Sequence, residues 1–494
     1  MRRIIITLQG KVQGVGFRPF VYRLAVQYNL QGHTRNTSNG VNIDVQGDDA
    51  DIDSFLADLI NKKPGPAAVS QLSITEASQV FYPPADDDGS GRPFRIKESD
   101  SSGDAELALL PDTAICQRCL EELFEPLNRR YRYPFLHCVS CGPRFSLFSR
   151  MPFDRLNTSM ADFPMCRECE REYGNPFDRR FHSQTNCCSG CGPYLTFLDS
   201  TGRQLAGKDG ALEMAATELK RGAIVALKNT GGYMLLADAA NEQTVAKLRI
   251  RKRRRQKPFA LLVPTIRHAE ELVEICAAAK EVLDSPAAPI VLLKKAKGAA
   301  LVGRNVAPEN PYHGIMLPHT GLQHLLTRAF RGPLVATSGN TSDLPICIDD
   351  DDALNKLSGV ADFFLSHNRQ IIHRLDDSIV HIINGRPVVL RKARGYIPCA
   401  LELQMNALLS PKAVFAAGGQ TKNAFAFAKG QMIYSSQHVG DLNSAETCQI
   451  YEQDVKKWKT LLTASPDLYV IDEHRGYFSS HFQGSVFAGK LPSC

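Results

Sequence analysis

Two apolar periods alternate along the first hundred residues. Ile4 to Leu8 is a short apolar run that reads as a strand. Pro19 to Gln27 follows a helical period, and Pro19 suits a first helical turn. Strands are expected around Gln31 to Asn36 and Val41 to Val45, joined by the turn signal Ser38-Asn39-Gly40. Ile52, Phe55, Leu56 and Leu59 share one face of a helix over Ile52 to Leu59. Further strands near Val69 to Thr75 and Phe94 to Ile96 complete a βαββαβ pattern, the ferredoxin-like arrangement. Ser99 to Glu106 is polar and glycine-containing, as a linker would be. Beyond the middle of the chain the pattern resumes: a helix to Lys220, strand Ala223 to Leu227, helix Glu242 to Leu248, and strands Phe259 to Val263 and Leu334 to Ala336. The expected class is multidomain α+β.

Composition narrows this modestly. A chain of 494 residues fits roughly three domains, and 43% apolar with 22% charged residues is ordinary for a globular protein. No apolar run approaches the length of a membrane span. Met1-Arg2-Arg3 leads straight into a strand without a cleavage site, so a cytoplasmic protein without a membrane partner is expected. The net charge of +6 permits small anionic substrates but does not argue for nucleic acid.

The cysteines carry more. Cys116, Cys119, Cys138 and Cys141 form a C-x2-C pair followed by a second one, and Cys166, Cys169, Cys188 and Cys191 repeat the spacing fifty residues on. Pro126, Arg129, Arg130, Gly142 and Pro143 recur as Pro176, Arg179, Arg180, Gly192 and Pro193. Such pairs close a tetrahedral thiolate shell, so two structural zinc ions are expected, with no open position for chemistry. Disulfides are disfavoured without a secretory signal. Cys187 adjoins a ligand, but the repeat register selects Cys188.

Between the first strand and helix lies Gly10-Lys11-Val12-Gln13-Gly14-Val15-Gly16-Phe17-Arg18. Glycines let successive N–H groups of Gln13, Gly14, Val15, Gly16 and Phe17 face an anion, and the next helix adds its positive end. Arg18 then clamps phosphate oxygens. Arg35-Asn36-Thr37 stands downstream. Together these resemble acylphosphatase, whose signature is V-Q-G-V-G-F-R with a later R-N-T. That resemblance implies phosphate binding by Arg18, water orientation by Asn36, and an acyl or carbamoyl phosphate as substrate.

A second constellation follows the strand ending at Leu227. It comprises Lys228, Gly231 and Gly232; the basic run from Arg251 through Lys252, Arg254 and Lys257 to Phe259; Ser338, Asn340 and Ser342 after another strand; and Arg391 and Arg394. A strand running into glycines invites a ligand at its carboxyl end. The basic run alone would read as a nucleic-acid patch, but it connects a helix to an apolar strand, so its cations are expected to converge on a polyphosphate. Asp376 and Asp377 suit magnesium or, more simply, pairing with arginines. The set resembles the YrdC-type domain that makes carbamoyl adenylates. Asn229 and Thr230 replace that family's glycine and small apolar residue, and are expected to crowd a nucleotide.

The whole order resembles the HypF family, the carbamoyltransferases of [NiFe]-hydrogenase maturation. Expected units are residues 1–98 acylphosphatase-like, 108–196 two C4 zinc modules, 205–400 YrdC-like, and 411–494 the start of an actin- or kinase-like domain opening with Gly418-Gly419-Gln420-Thr421-Lys422-Asn423 and Ser436 to Leu442. The resemblance implies hydrolysis of carbamoyl phosphate, adenylation of carbamate with ATP and Mg2+, and transfer to the C-terminal cysteine of HypE. The likeness fades after Asp472-Glu473-His474, so the transfer step is expected to be lost from this chain. A stand-alone acylphosphatase and a zinc-dependent nucleic-acid-binding protein are the alternatives; the second is disfavoured because no aromatic residues interleave with the basic run.

Overall fold

The computed structural model describes residues 1–37, 40–65, 67–77, 93–100, 111–298, 302–341, 344–403, 413–474 and 476–482. Part of the expected turn at Ser38-Asn39, most of the linker to Glu106, and Ser342 lie outside them.

The first sheet has the order Ala68–Glu76, Arg2–Lys11, Gly40–Gly47, Gln31–Thr37, Phe94–Ile96. Four strands give the ferredoxin-like order. The fifth, Phe94–Ile96, adds in parallel beside Gln31–Thr37, so both late strands find an edge rather than one closing the motif. Helices Phe17–Gln27 and Asp49–Asn61 supply Val21, Leu24, Ile52, Phe55 and Leu59 to a core with Ile4, Ile6, Leu8, Ile43 and Val45. Full burial of each such side chain contributes about 1.5–3 kcal/mol.

The cysteine modules carry little regular structure beyond helices Gln117–Phe124 and Arg167–Gly174, each starting directly after the first cysteine of its module. The sequence pattern did not mark these helices. Both are two turns long, too short to be stable alone and dependent on the residues that anchor them.

A mixed sheet of eleven strands forms the largest unit. At its centre Ala260–Leu262, Leu334–Ser338, Tyr233–Asp238 and Val225–Lys228 lie side by side. These strands are buried on both faces, which explains their near-continuous apolar runs. The hairpin Leu195–Asp199 and Gln204–Gly207 joins this sheet through pairing of Leu195–Asp199 with Phe363–His367. The sheet therefore begins at the last cysteine module.

A third sheet contains Cys399–Glu402, Met432–Ser435, Ala426–Lys429, Val414–Ala416 and Leu468–Val470. Helix Ala445–Leu461 carries Tyr451, Val455, Trp458 and Leu461 into a core that Phe145, Phe148 and Phe153 of the module region also enter. Among the described residues no helix is long and apolar enough to cross a membrane.

Candidate functional site

The eight expected cysteines form two compact clusters. In the first, Sγ separations are 3.8 Å for Cys116–Cys138, 3.7 Å for Cys138–Cys141 and 3.6 Å for Cys141–Cys119. In the second they are 3.8 Å for Cys166–Cys188, 3.7 Å for Cys188–Cys191 and 3.6 Å for Cys191–Cys169. A disulfide needs about 2.05 Å. A tetrahedron of metal–sulfur bonds of about 2.3 Å has edges of about 3.8 Å, so the donor set fits one ion per cluster. Cys187 is buried and lies instead beside the Tyr133 hydroxyl at 3.5 Å.

The two clusters are tied to each other crosswise. Arg179 of the second module donates to Cys116 and Cys119 Sγ at 3.2 and 3.0 Å and to Glu122 at 2.7 Å. Arg129 of the first donates to Cys166 and Cys169 Sγ at 3.7 and 3.6 Å and to Glu172 at 2.8 Å. Arg130 and Arg180 follow the same exchange with Glu172 and Glu122. The two arginine pairs are visible as repeated residues in the sequence, and Glu122 and Glu172 recur at the same fifty-residue offset.

The glycine loop is a shaped cradle. Gly14 and Gly16 take φ of 72° and 76°. A Cβ on Gly16 would sit 2.9 Å from Val139 Cγ1, so the approach of the module requires glycine. Buried Gln13 donates to Thr37 O at 2.7 Å and Gly40 O at 2.9 Å, which locks the loop to the strand pair. Arg18 and Asn36, both buried, line one cavity with the loop, about 360 Å³ of space between atoms. Residues the sequence did not single out complete its wall. Arg144 is one, its Nε donating to Gly14 O at 2.7 Å; Asp154 does not line the cavity but pairs with Arg18 at 3.1 Å. His182 lies there too, held to about 3 by burial and by Arg18, hence a neutral imidazole at pH 7.

The second cavity, about 920 Å³, is lined by Gly231, Gly232, Arg254, Lys257, Ser338, Arg391 and Arg394 among others. Gly231 approaches so closely that a Cβ would fall 2.3 Å from Leu375 O. Lys252 sits beneath it, donating to Ser338 O, Asn340 O and Asn340 Oδ1 at 2.5, 2.7 and 2.7 Å. Arg254 packs over the Phe259 ring with its guanidinium 5.2 Å from the centroid. Arg251 is turned elsewhere, bonded to Asp362 at 2.7 Å, so the expected convergence of the basic run holds for only part of it. Lys228 also stays off this cavity, pairing with Asp350 at 2.6 Å. Asp377 pairs with Arg394 at 3.0 Å, in the simpler of its two expected roles. The Asn229 amide is held by His319 Nε2 at 3.2 Å, and Thr230 lines a neighbouring cavity.

Comparison with known proteins places these units. Family models match as acylphosphatase over residues 4–81, HypF finger over 115–148 and 165–198, telomere recombination (the Sua5, YciO and YrdC family) over 217–393, and HypF Kae1-like domain over 410–492. The carbamoyltransferase HypF of Synechocystis sp. is 44% identical over 482 residues, covering 98% of this chain and 61% of its own length. A crystal structure of full-length HypF in the phosphate- and nucleotide-bound form superposes with a TM-score of 0.92 at 36% identity, over 100% of this chain and 62% of that one. HypF of T. kodakarensis gives 0.90 at 35% identity, over 99% and 62%. The chain thus spans about three fifths of the length of these relatives.

Proposed function

The chain belongs to the HypF family, and from that premise we propose that it is an enzyme of carbamoyl-group transfer in [NiFe]-hydrogenase maturation. Carbamoyl phosphate enters the glycine cradle, where the N–H groups around Gly14 and Gly16 and the Arg18 guanidinium take up the phosphoryl charge. Asn36 orients a water for attack on phosphorus. The P–O bond to the carbamoyl group breaks, giving phosphate, carbamate and a proton. In the second cavity a carbamate oxygen attacks the α-phosphorus of ATP, and pyrophosphate leaves as carbamoyl adenylate forms. Arg254, Lys257 and Arg391 offset the polyphosphate charge there, while Arg394, bonded to Asp377, Ala287 O and Ala288 O, holds the wall of the cavity. The last step is attack of the C-terminal cysteine thiolate of HypE on the carbamoyl carbon, with AMP leaving; the partner and this step follow from the family as a whole.

Two zinc ions would be held by the eight cysteines, where their role is to fix the module fold. Magnesium bound with ATP would neutralise part of its phosphate charge. The cytoplasm is the proposed compartment.

The observation that carries this reading is the cradle: left-handed Gly14 and Gly16 with Arg18 and Asn36 around one cavity. A nucleic-acid reading loses its main support, because Arg251 is spent on Asp362 and Lys252 on the loop at Ser338 and Asn340. The test supplies carbamoyl phosphate and ATP to the zinc-loaded chain and follows phosphate and pyrophosphate separately. Both should appear, and Arg18→Ala should stop phosphate release and, with carbamoyl phosphate as sole source, pyrophosphate release. Pyrophosphate release that ignores carbamoyl phosphate would overturn the reading. So would phosphate release indifferent to Arg18.

A further inference from the structure

Between the first cysteine module and the strand that ends in Lys228 lies a third cavity, about 440 Å³ of space between atoms. Its wall holds an unusual concentration of unsatisfied polar atoms. Asp112 Oδ2, Thr230 Oγ1, His319 Nδ1 and Arg369 Nη1 are buried there without a hydrogen-bond partner among the described residues. Arg369 is only 4% exposed. Its guanidinium lies over the Phe135 ring, 5.4 Å from the centroid, and forms no ion pair among the described residues. The other cations of the wall are already matched, Lys228 by Asp350 and Arg394 by Asp377. A buried charge without a partner is costly, and such sites are kept where a ligand supplies the missing charge. Asp112 offers the complementary need: its Oδ1 accepts from the backbone N–H of Arg144 and Ser146, at 2.8 and 3.0 Å, while Oδ2 has no donor among the described residues.

We propose that this chamber is the holding site for the small carboxylate reactant, with Arg369 binding its carboxylate and Asp112 Oδ2 accepting a proton donor from the group on its carbon. The proposal rests on the function argued above and deepens it. The chemistry that fits is a planar one-carbon carboxylate bearing N–H or O–H. Carbamate and bicarbonate share it, whereas acetate puts a methyl group where the donor must be. Asn229 and Arg394 line both this chamber and the ATP-sized cavity, so the held anion is next to the site of adenylation. Arg369 is a binding residue for the anion and has no part in holding ATP.

The test uses the full zinc-loaded chain with ATP and freshly dissolved ammonium carbamate, which bypasses the cradle. Arg369→Leu should raise the carbamate concentration for half-maximal pyrophosphate release at least tenfold. The KM for ATP and phosphate release from carbamoyl phosphate should stay within about twofold. Arg369→Lys should recover part of the loss. Asp112→Asn, which exchanges the free acceptor for a donor, should weaken carbamate while improving inhibition by acetate. Bicarbonate without ammonia forms the second arm and separates the two sources. Parallel loss for ATP and carbamate in both Arg369 variants would overturn the proposal and reduce Arg369 to packing. Unchanged carbamate dependence in Arg369→Leu would do the same. If Arg369→Leu does not fold, Arg369→Lys and Asp112→Asn decide alone. Absence of carbamate-dependent pyrophosphate release from the unaltered chain would fail the parent function itself, a different result from a normal chain with indifferent variants.

Discussion

Arg179 Nη2 stands 3.0 Å from Cys119 Sγ, although the two belong to different metal modules. Arg129 repeats the contact in the opposite direction, on Cys169 at 3.6 Å. A tetrathiolate shell around a divalent ion carries a net charge of −2, and each shell draws compensating cations from the other module. Neither shell is electrostatically complete unless both modules are folded together.

Zinc retention is therefore expected to be reciprocal. Arg179→Ala should speed zinc release from the first module, and Arg129→Ala from the second, each by about tenfold if one charge-assisted contact of roughly 1.5 kcal/mol is lost. Metal transfer to a chromogenic chelator, read as two phases, checks this. Release rates untouched by either substitution would mean the contacts contribute nothing to the shells.

The cradle makes a second prediction. Arg18 is held by Asp154 at 3.1 Å. An arriving phosphoryl group must displace that carboxylate. Asp154→Asn should then tighten inhibition by inorganic phosphate about threefold, the scale of a partly exposed ion pair, while Arg18→Ala should abolish it. Phosphate inhibition measured against carbamoyl phosphate hydrolysis distinguishes the two.

Lys252 sets a pH dependence. Burial, then the neighbouring Arg254, bring its ammonium down to about 7. The protonated form has three N–H groups for three acceptors: Ser338 O, Asn340 O and Asn340 Oδ1. The folded value lies below the usual lysine value, so the charge is present below about pH 7 and lost as pH rises through it. With the charge goes the tie between the basic turn and the Ser338 loop. The KM for ATP should rise above about pH 7, and kcat/KM for ATP should fall along one deprotonation limb. Bound ATP favours the ammonium and should move the limb of kcat to higher pH. Lys252→Met should show a high, pH-independent KM.

What the sequence disclosed follows the range of its signals. The cysteine spacing is local, and it identified all eight members of the two clusters. The glycine loop was legible because Gly14, Gly16 and Arg18 fall within five residues, and Asn36 follows in the next strand. The basic run was only partly legible. The partner of Arg251, Asp362, lies 111 residues away, and no periodicity reveals which way an arginine turns when its partner is that remote. The same holds for Asp154 over Arg18, 136 residues apart. The strand Leu195–Asp199 was hidden for a related reason, since its partner Phe363–His367, though adjacent in the sheet, comes from much later in the chain.

The joint between the module region and the third sheet can be tested with a built-in reporter. Trp458 is the single tryptophan of the chain and is fully buried, with its indole N–H donated to Gln437 Oε1 at 3.1 Å. Phe145, contributed from just beyond the first cysteine module, sits 5.6 Å from its ring and stacks on His373 at 4.2 Å. Removing this ring leaves a cavity at the junction, so Phe145→Ala should cost about 3–5 kcal/mol. The loss should appear as an earlier urea midpoint in Trp458 emission. The cost falls on the joint itself, so Trp458 should become exposed at a denaturant concentration where zinc is still retained. If emission and zinc release instead move together, the two regions unfold as one unit, and Phe145 stabilises the whole chain rather than the contact it makes.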